Sequence, residues 1–412
     1  MSKIIPFRAV RPPRDKVHLV ASRSYVSYDH AQLHQKLRDN PYSFIHIINP
    51  EFGDQIKTEP NSPERFDLIK NRYQDFIDRE YLFQEDTDAF YIYRQTTPNQ
   101  VFTGIVCGVD IREYLSGKIK IHEHTITSRV QTFTKYLDIC DFNAEPVLLT
   151  FPHQKIDFHQ LIDGVVKESP EYDFTTTNMN RHEVWVITDD KDITQIQKEF
   201  ETINSLYIAD GHHRMASSVN LGENRKARNS WTEDHICNYA LAMLIPDDIL
   251  SIQPFHRILQ LEEEIDEVSL METLSKNFEV QSCGNCFIPD EPQKFGMRLK
   301  SGWYTLKLKV EIEQKRVIDG LDPVVLTNQV LEPIFNIYDQ KTDERISFIP
   351  GKDPIDSFEK AIDNGFYSVL FTLYPVSPEE LFAVSDAGEV MPPKSTYIEP
   401  KLRSGLTMMK LS

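Results

Sequence analysis

The chain has 412 residues, with 45 basic and 63 acidic side chains and a net charge of −18 at pH 7. This length exceeds what one hydrophobic core usually covers, so two domains are expected. A hydrophobic content of 40% with charges of both signs is typical of a globular protein and excludes a fibrous or disordered chain. The acidic balance disfavours nucleic acid as a partner, since no long Lys/Arg run opposes it.

Apolar runs and cysteines indicate the compartment. No apolar stretch approaches the length of a membrane span, and residues 1–16 lack the apolar core of a signal peptide, so the sequence predicts a cytoplasmic protein without membrane contact. An odd number of cysteines, five, favours a reducing compartment over a disulfide framework. Cys283 and Cys286 have the spacing of half a zinc site, yet no second pair follows nearby to complete it.

Aromatic and β-branched residues predict six strands in the first half of the chain. They cover residues 42–50, 89–96, 100–110, 145–151, 182–189 and 205–210. A helix is predicted over 62–82, where Ser62 supplies the cap and Pro63 the first-turn proline. A second helix is expected after residue 211, ended by Gly222. Strands interleaved with helices predict an α/β protein with a mixed α+β sheet.

The second half repeats this mixture. Strands are predicted at 302–313 and 366–375, and a short capped helix at 377–388. Domain boundaries are plausible near 246–254 and in the proline-bearing loop at 288–296. We expect an N-terminal α/β part over residues 1–250 and a C-terminal α/β part over 251–412.

The motif Ala-Asp-Gly-His-His-Arg at 209–214 lies between a predicted strand and a predicted helix. Unpaired amides at a helix N-terminus bind anions, and His212, His213 and Arg214 add donors there, so phosphate is the matching ligand. In the alternative interpretation, Asp210 caps the helix and the histidines bond to backbone carbonyls. Zinc is disfavoured, because adjacent histidines on a helix diverge by about 100°.

The chain carries blocks that together resemble a known family. These blocks lie at 5–17, 20–25, 44–51, 91–96, 103–106, 117–125, 144–150, 206–217, 342–351 and 385–406. The 209–214 motif resembles the signature of the ParB/sulfiredoxin-like group, which includes free L-serine kinases. The whole set resembles a bacterial and archaeal family long labelled as of unknown function, with pyrophosphate-dependent L-serine kinases among its members. The resemblance implies a ParB/sulfiredoxin-like core elaborated with a second, intimately packed α/β half.

The resemblance also implies an activity. A phosphoryl group would pass from pyrophosphate, ATP or ADP to the hydroxyl of free L-serine, giving O-phospho-L-serine, usually with Mg²⁺. The absence of a Walker loop or kinase glycine loop suits pyrophosphate and leaves the nucleotides open. The alternative is a ParB-like regulatory protein that binds a nucleotide without turnover.

Catalytic roles are expected for Glu123, Asp210, His212 and His213. Glu123 stands in the segment His-Glu-His-Thr at 122–125, beside cationic residues that keep a carboxylate ionised, and is the candidate base. Asp210 is its rival. Either carboxylate could instead hold magnesium.

The remaining candidate residues divide between phosphate and substrate. Prolines 392 and 393 precede a second group of donors, followed by Arg403 and Ser404. The expected phosphate ligands are Gly211, Arg214, Lys394, Ser395, Thr396 and Lys401. The expected substrate ligands are Arg8, Arg11, Arg23 and His122. A site shared by residues 210 and 394 would lie between the two halves.

The chain departs from the family pattern at two places. Ser24, Tyr25 and Val26 follow Arg23 where the family usually has proline, tyrosine and aspartate, with Asp29 the nearest acid. Ile126 replaces a common arginine, although Arg129 follows three residues on. Both departures bear on the choice of phosphoryl donor.

Overall fold

The structure is a computed structural model that describes residues 2–23, 29–52, 57–229 and 234–412. It forms two compact units, the first of Met1–Leu250 with Pro400–Ser412, and the second of Ser251–Glu399. The last thirteen residues therefore pack with the first unit, whereas the sequence placed them with the second half. None of the described helices has the length and apolarity needed to cross a membrane.

The strands are numbered in chain order. They are β1 (Ile4–Ile5), β2 (Ala9–Arg11), β3 (Phe83–Gln84), β4 (Phe90–Thr96), β5 (Val101–Asp110), β6 (Ile119–Lys120), β7 (Phe142–Asn143), β8 (Val147–Phe151), β9 (Tyr172–Thr175), β10 (Arg181–Ile187), β11 (Leu206–Asp210), β12 (Tyr239–Pro246), β13 (Ser251–Leu259), β14 (Phe278–Cys283), β15 (Lys294–Leu299), β16 (Gly302–Leu308), β17 (Ile346–Pro350), β18 (Val369–Thr372), β19 (Thr396–Glu399) and β20 (Met408–Lys410).

The α-helices follow the same order. They are α1 (Val17–Val20), α2 (His30–Asp39), α3 (Ile45–Ile48), α4 (Pro63–Asp78), α5 (Ile111–Leu115), α6 (Thr127–Cys140), α7 (Phe158–Val166), α8 (Asp190–Phe200), α9 (His212–Asn229), α10 (Glu267–Asn277), α11 (Asp322–Leu326), α12 (Glu332–Phe335), α13 (Asp356–Asp363) and α14 (Pro378–Asp386).

The first unit is built on a nine-stranded mixed sheet. Its strand order is β6-β11-β8-β12-β5-β4-β10-β9, with β1 paired to β5. Every residue of β12 is buried, as expected for a central strand covered on both faces. A small second sheet, β3-β2-β20-β7, joins the two ends of the chain and anchors the segment Pro400–Thr407 within this unit.

The second unit contains a seven-stranded sheet in the order β14-β16-β15-β18-β13-β17, with β19 paired to β13. Its core includes Leu259, Phe295, Leu331 and Phe371, all at most 1% exposed. Strands and helices alternate in both units, so the prediction of a mixed α/β fold class is confirmed.

One predicted strand is wrong. Residues 42–50 contain the short helix α3 instead. The apolar residues Phe44, Ile45 and Ile47 are buried in this segment, but the backbone amide of Phe44 donates to the Val20 carbonyl and α3 packs against α4. Local bonds to the Ser43 hydroxyl and the Asn40 side chain hold the chain in turns, and this context overrides β propensity.

Gly222 does not end its helix, contrary to the prediction, because α9 continues to Asn229. A Cβ atom at position 222 would lie 2.3 Å from the Ile111 side chain and 2.6 Å from the Cys237 carbonyl oxygen. The glycine therefore permits close packing of α9 against its neighbours, and its role is not that of a C-terminal cap.

Gly104 occupies a similar position in the large sheet, and we expect Gly104→Ala to lower the free energy of unfolding by about 1–3 kcal/mol. The new Cβ would lie 2.5 Å from Ile245 Cγ2 and 2.6 Å from the Leu244 carbonyl oxygen. Gly164→Ala in α7 is the control, since nothing lies within 4 Å of a Cβ there. Urea unfolding of both variants measures the difference, and equal stability of the two variants would contradict the packing argument.

Candidate functional site

Two predicted motifs meet at one edge of the large sheet. Strands β6 and β11 are parallel neighbours, with Leu206 opposite Ile119 and Tyr207 opposite Lys120. Because parallel strands end at the same edge, the residues that follow them lie side by side. The His-Glu-His-Thr segment at 122–125 therefore lies beside the turn that follows Asp210.

The turn itself requires glycine. Gly211 has φ of 102°, a conformation that side-chain-bearing residues rarely adopt, and α9 begins at the next residue. The Arg214 side chain folds back over this position, so a Cβ at 211 would lie 2.8 Å from the Arg214 Nε atom. The predicted strand–glycine–helix junction is therefore present, with an arginine folded over its glycine.

Both histidines of the motif contact the 122–126 segment. His212 Nε2 accepts a hydrogen bond from the His122 backbone amide at 3.4 Å, and His213 Nε2 accepts one from the Ile126 amide at 3.0 Å. The other ring nitrogen of His212, Nδ1, lies 3.9 Å from a Glu123 carboxylate oxygen. Both rings thus bond to backbone amides, and together they hold the segment that carries Glu123.

Burial keeps this histidine pair neutral. The rings of His122 and His212 meet edge to face, with centroids 4.5 Å apart, and the two residues are 2% and 4% exposed. Burial lowers the pKa of His122 to about 4 and also lowers the pKa of His212, next to His122. The pKa of His213 is lowered by burial and by the charge of Arg129 on α6. Neutral rings suit the acceptor role of their Nε2 atoms.

This burial predicts a pH dependence of stability. The unfolded state takes up a proton at His122 near pH 6.5 while the folded state does not until about pH 4, so stability present at neutral pH is lost as the pH falls between those values. From pH 7 to pH 5 the loss from His122 alone is about 2 kcal/mol. His122→Gln removes this titration, and its unfolding free energy should fall by that much less than that of the wild type.

The adjacent exposed residue provides the control for that measurement. His124→Gln makes the same chemical change in the same segment without removing a buried ring. Its denaturant unfolding curves at pH 7 and pH 5 should shift as those of the wild type do. A His122→Gln variant that loses as much stability as the wild type would show that His122 does not titrate this way.

Four charged residues form an ion-pair network behind the turn. Asp210 lies 2.5 Å from Arg214 through one carboxylate oxygen and 2.7 Å from Lys401 Nζ through the other. Arg214 also pairs with Glu145 at 2.6 Å and donates to the Pro146 carbonyl. The charges of Lys401, Arg214 and Asp210 are thus used largely within the protein, and Glu145 is a partner that the sequence did not reveal.

The network determines the charge state of its members. Burial disfavours the Asp210 carboxylate, but Lys401 and Arg214 outweigh this effect and lower its pKa to about 2. Burial likewise opposes the charge of Arg214, yet Glu145 and Asp210 raise its pKa. A carboxylate with so low a pKa is a weak base near neutral pH, which favours Glu123 over Asp210 as a proton acceptor.

The three N-terminal arginines have different surroundings. Arg11 is 6% exposed and pairs with Glu85 at 2.5 Å and Glu171 at 3.0 Å, which is the environment of a structural ion pair. Arg8 is exposed and lies 4.0 Å from Asp88. Arg23 is exposed beside the bridge between Ser22 and Ser404.

The departure predicted at Ser24, Tyr25 and Val26 lies outside the described residues. Asp29, the acid nearest to it, accepts a hydrogen bond from the Gln32 amide and caps α2. At the other departure, the Ile126 side chain is 52% exposed and Arg129 lies close enough to His213 to lower its pKa. Arg129 therefore supplies a cation beside the motif.

Lys394, Ser395 and Thr396 belong to the second unit. Lys394 has φ of 55°, and its Nζ lies 5.1 Å from the centre of the Phe255 ring. The Ser395 hydroxyl donates to the Pro392 carbonyl, and Thr396 begins β19 opposite Pro254. These contacts form a tight, partly buried turn in that unit.

Neither predicted metal ligand belongs to the cluster of potential ligands that the described residues contain. That cluster is His153, Asp247 and Asp248, whose ligand atoms lie within 4.8 Å of one another. It follows the ends of β8 and β12, and β8 runs antiparallel to β11, so it lies at the edge of the sheet opposite Asp210. Of the two predicted ligands, Asp210 has both oxygens on cations, whereas the Glu123 side chain is 52% exposed.

Fold and site define a mixed α/β protein whose conserved-looking motifs converge at one sheet edge on a carboxylate, neutral histidines and an ion-pair network. The chain belongs to the DUF1015 family, described as a protein family of unknown function, whose model matches residues 4–324. No curated protein matches the chain significantly.

Solved structures similar to this chain include three of interest. A free serine kinase in complex with AMP is 14% identical with a TM-score of 0.34, covering 75% of this chain and 92% of that one. SbnI with a C-terminal truncation, from Staphylococcus aureus, is 15% identical with a TM-score of 0.34, covering 71% and 82%. A conserved hypothetical protein from Pyrococcus furiosus is 13% identical with a TM-score of 0.31, covering 73% and 91%. Likenesses this low carry no inference about activity.

Proposed function

We propose that the protein is a small-molecule kinase that phosphorylates the hydroxyl of free L-serine, with pyrophosphate, ATP or ADP as donor. The observation that supports this most is the placement of Glu123, whose segment is bonded to both histidines of the 209–214 motif. Phosphoryl transfer depends mainly on positioning and on neutralising charge, and both are served by this edge of the sheet.

The proposed step is an in-line displacement. The serine hydroxyl oxygen attacks the terminal phosphorus of the donor, a new O–P bond forms, and the bridging P–O bond breaks. The leaving group departs with the bridging oxygen, as orthophosphate from pyrophosphate, ADP from ATP or AMP from ADP. Glu123 accepts the hydroxyl proton, while His212, with Nδ1 3.9 Å from that carboxylate, helps to orient it.

Magnesium is part of the proposal as an ion shared with the donor phosphates. Magnesium usually binds one or two carboxylates together with substrate phosphates and waters. Asp210 does not fit this role, because its oxygens contact Lys401 and Arg214, whereas the half-exposed Glu123 carboxylate does. When bound, the ion would neutralise charge on the donor phosphates.

The runner-up function is a nucleotide-binding regulator without turnover. The ion-pair network favours it to some extent, since Arg214 and Lys401 already pair with carboxylates and their charge is not all directed at a ligand. In that case the 209–214 motif would stabilise the fold, and a nucleotide would bind without losing its terminal phosphate.

The two functions are separated by incubating purified protein with magnesium, L-serine and each donor in parallel. We expect O-phospho-L-serine, detected by mass spectrometry, with at least one donor. D-serine and L-alanine in place of L-serine are the controls, since alanine lacks the hydroxyl. Absence of phosphoserine with all three donors would contradict the kinase proposal and favour the regulator.

A further inference from the structure

Three cationic side chains converge in the first unit, away from the ion-pair network. An antiparallel bridge joins Ser22 to Ser404 through reciprocal backbone hydrogen bonds of 3.1 and 2.9 Å. In such a bridge the residue after one partner faces the residue before the other, so Arg23 and Arg403 are cross-strand neighbours. Like charges at facing positions destabilise a β-pair unless something compensates them.

Lys36 is the third member. It lies in the last turn of α2, and the residues just beyond that helix are fastened to the chain that leads to Ser22. The Asn40 side chain donates to the Leu19 carbonyl at 2.7 Å, and the Phe44 amide donates to the Val20 carbonyl at 3.0 Å. Burial lowers the pKa of Lys36, and the charges of Arg403 and Arg23 lower it further, so the three groups are close enough to repel one another.

The cluster extends from the interior to the surface. Arg403 is 7% exposed, and its guanidinium donates to two neutral oxygens, Thr176 Oγ1 at 3.1 Å and Asn178 Oδ1 at 3.4 Å. Lys36 is half-buried and Arg23 is exposed. A buried arginine beside two more accessible cations matches a ligand that carries several negative charges.

The cluster is also connected to the candidate site. Lys401 pairs with Asp210 at 2.7 Å and precedes Arg403 by two residues, an extended span of about 7 Å. Further along, the Ser404 hydroxyl donates to Glu145 at 3.5 Å, and Glu145 pairs with Arg214. The segment 401–404 therefore runs from the 209–214 turn to the cation cluster within one unit.

We propose that Arg23, Lys36 and Arg403 form a polyphosphate-binding site that holds the phosphates of the donor. This inference rests on the proposed function and extends it, because it assigns Lys36 and Arg403 to donor binding. An anion bound among the three cations would offset their mutual repulsion and restore the charge of Lys36. Pyrophosphate and the phosphate chain of a nucleotide share the chemistry that the site would recognise.

The test is a binding measurement on the full chain without serine. Isothermal titration with pyrophosphate, ADP and ATP is compared for the wild type, Lys36→Gln and Arg403→Gln. We expect each substitution to raise the Kd by about tenfold, because a charge-assisted contact is lost. Arg38→Gln on the same helix is the matched control, since Arg38 is exposed and bonded to Gln35, and its Kd should change by less than twofold.

The outcomes decide the inference separately from the activity. A tenfold loss for Lys36→Gln with little change for Arg38→Gln supports the site even when no phosphoserine forms. Should Arg403→Gln fail to fold, Lys36→Gln decides alone. A wild type that binds none of the three anions, a Lys36→Gln variant with the wild-type Kd, or an equal loss for Arg38→Gln overturns it. Tighter binding of ATP or ADP than of pyrophosphate would identify a nucleotide as the donor.

Discussion

Replacing Glu123 with glutamine is expected to lower kcat for phosphoserine formation by about 10²- to 10⁴-fold, the usual contribution of a general base. Glutamine keeps the size of the side chain and cannot accept the hydroxyl proton. Because the carboxylate is half exposed, the folded structure should survive the change. Initial rates with saturating L-serine, donor and magnesium measure the effect, and the KM for serine should change little.

Saturating magnesium separates the two roles considered for Glu123. Loss of a metal ligand would raise the magnesium concentration needed for half-maximal rate, and enough magnesium would restore activity. Loss of the base would lower kcat at any magnesium concentration. Glu201→Gln, the same change at an exposed position of the first unit, is the control and should retain wild-type rates. Wild-type kcat for Glu123→Gln would remove this residue from the mechanism.

Replacing His212 and His213 together with alanine is expected to lower kcat by about 10²-fold or more, because displacement of a catalytic group by about 1 Å has effects of that size. The two Nε2 atoms accept the amides of His122 and Ile126, and the substitution leaves both amides without these acceptors. Glu123 lies between those amides in the chain, so its position depends on them. Steady-state kinetics and unfolding curves of the double variant measure the two consequences.

A conservative rescue distinguishes positioning from general loss of structure. His212→Asn and His213→Gln retain a side-chain acceptor, and these single variants should recover part of the activity lost in the double alanine variant. Circular dichroism at the assay temperature checks that all variants are folded. Full activity of the double alanine variant would mean that the motif is structural, and that result would favour the regulator.

The long strands of the first unit were predictable from sequence because their composition and their environment agree. Residues 89–96, 100–110 and 182–189 are aromatic and β-branched, and each occupies the interior of the large sheet as β4, β5 or β10. Residues 42–50 have a similar composition, but the chain around them is held in turns by Asn40 and Ser43. Local composition does not encode which neighbours are available for pairing.

The convergence of the two motifs could not be derived from either motif alone. It depends on the parallel pairing of β11 with β6, a strand of two residues that leaves no recognisable periodicity. Sequence reasoning identified Glu123 and the 209–214 turn as important, and the resemblance to a family carried that inference. The structure adds that the histidines are acceptors of backbone amides.

Charge pairing was the least predictable part of the site. Counting cations near the turn suggested an open phosphate site, whereas Asp210 and Glu145 pair with Arg214 and Lys401. Glu145 lies in a block that matches the family, which was the one available signal. The approach of Lys36 to Arg403 depends on how α2 and the C-terminal segment pack, and no local pattern records such a contact.

The central claim is that this sheet edge transfers a phosphoryl group to free serine, and ³¹P NMR of a single reaction tests it most directly. Protein, magnesium, L-serine and one donor are followed over time, with pyrophosphate, ATP and ADP in separate tubes. We predict that the phosphomonoester signal of phosphoserine grows as the donor signal declines, at a rate that Glu123→Gln abolishes. Decay of the donor to orthophosphate alone, or no change with any donor, would contradict the account.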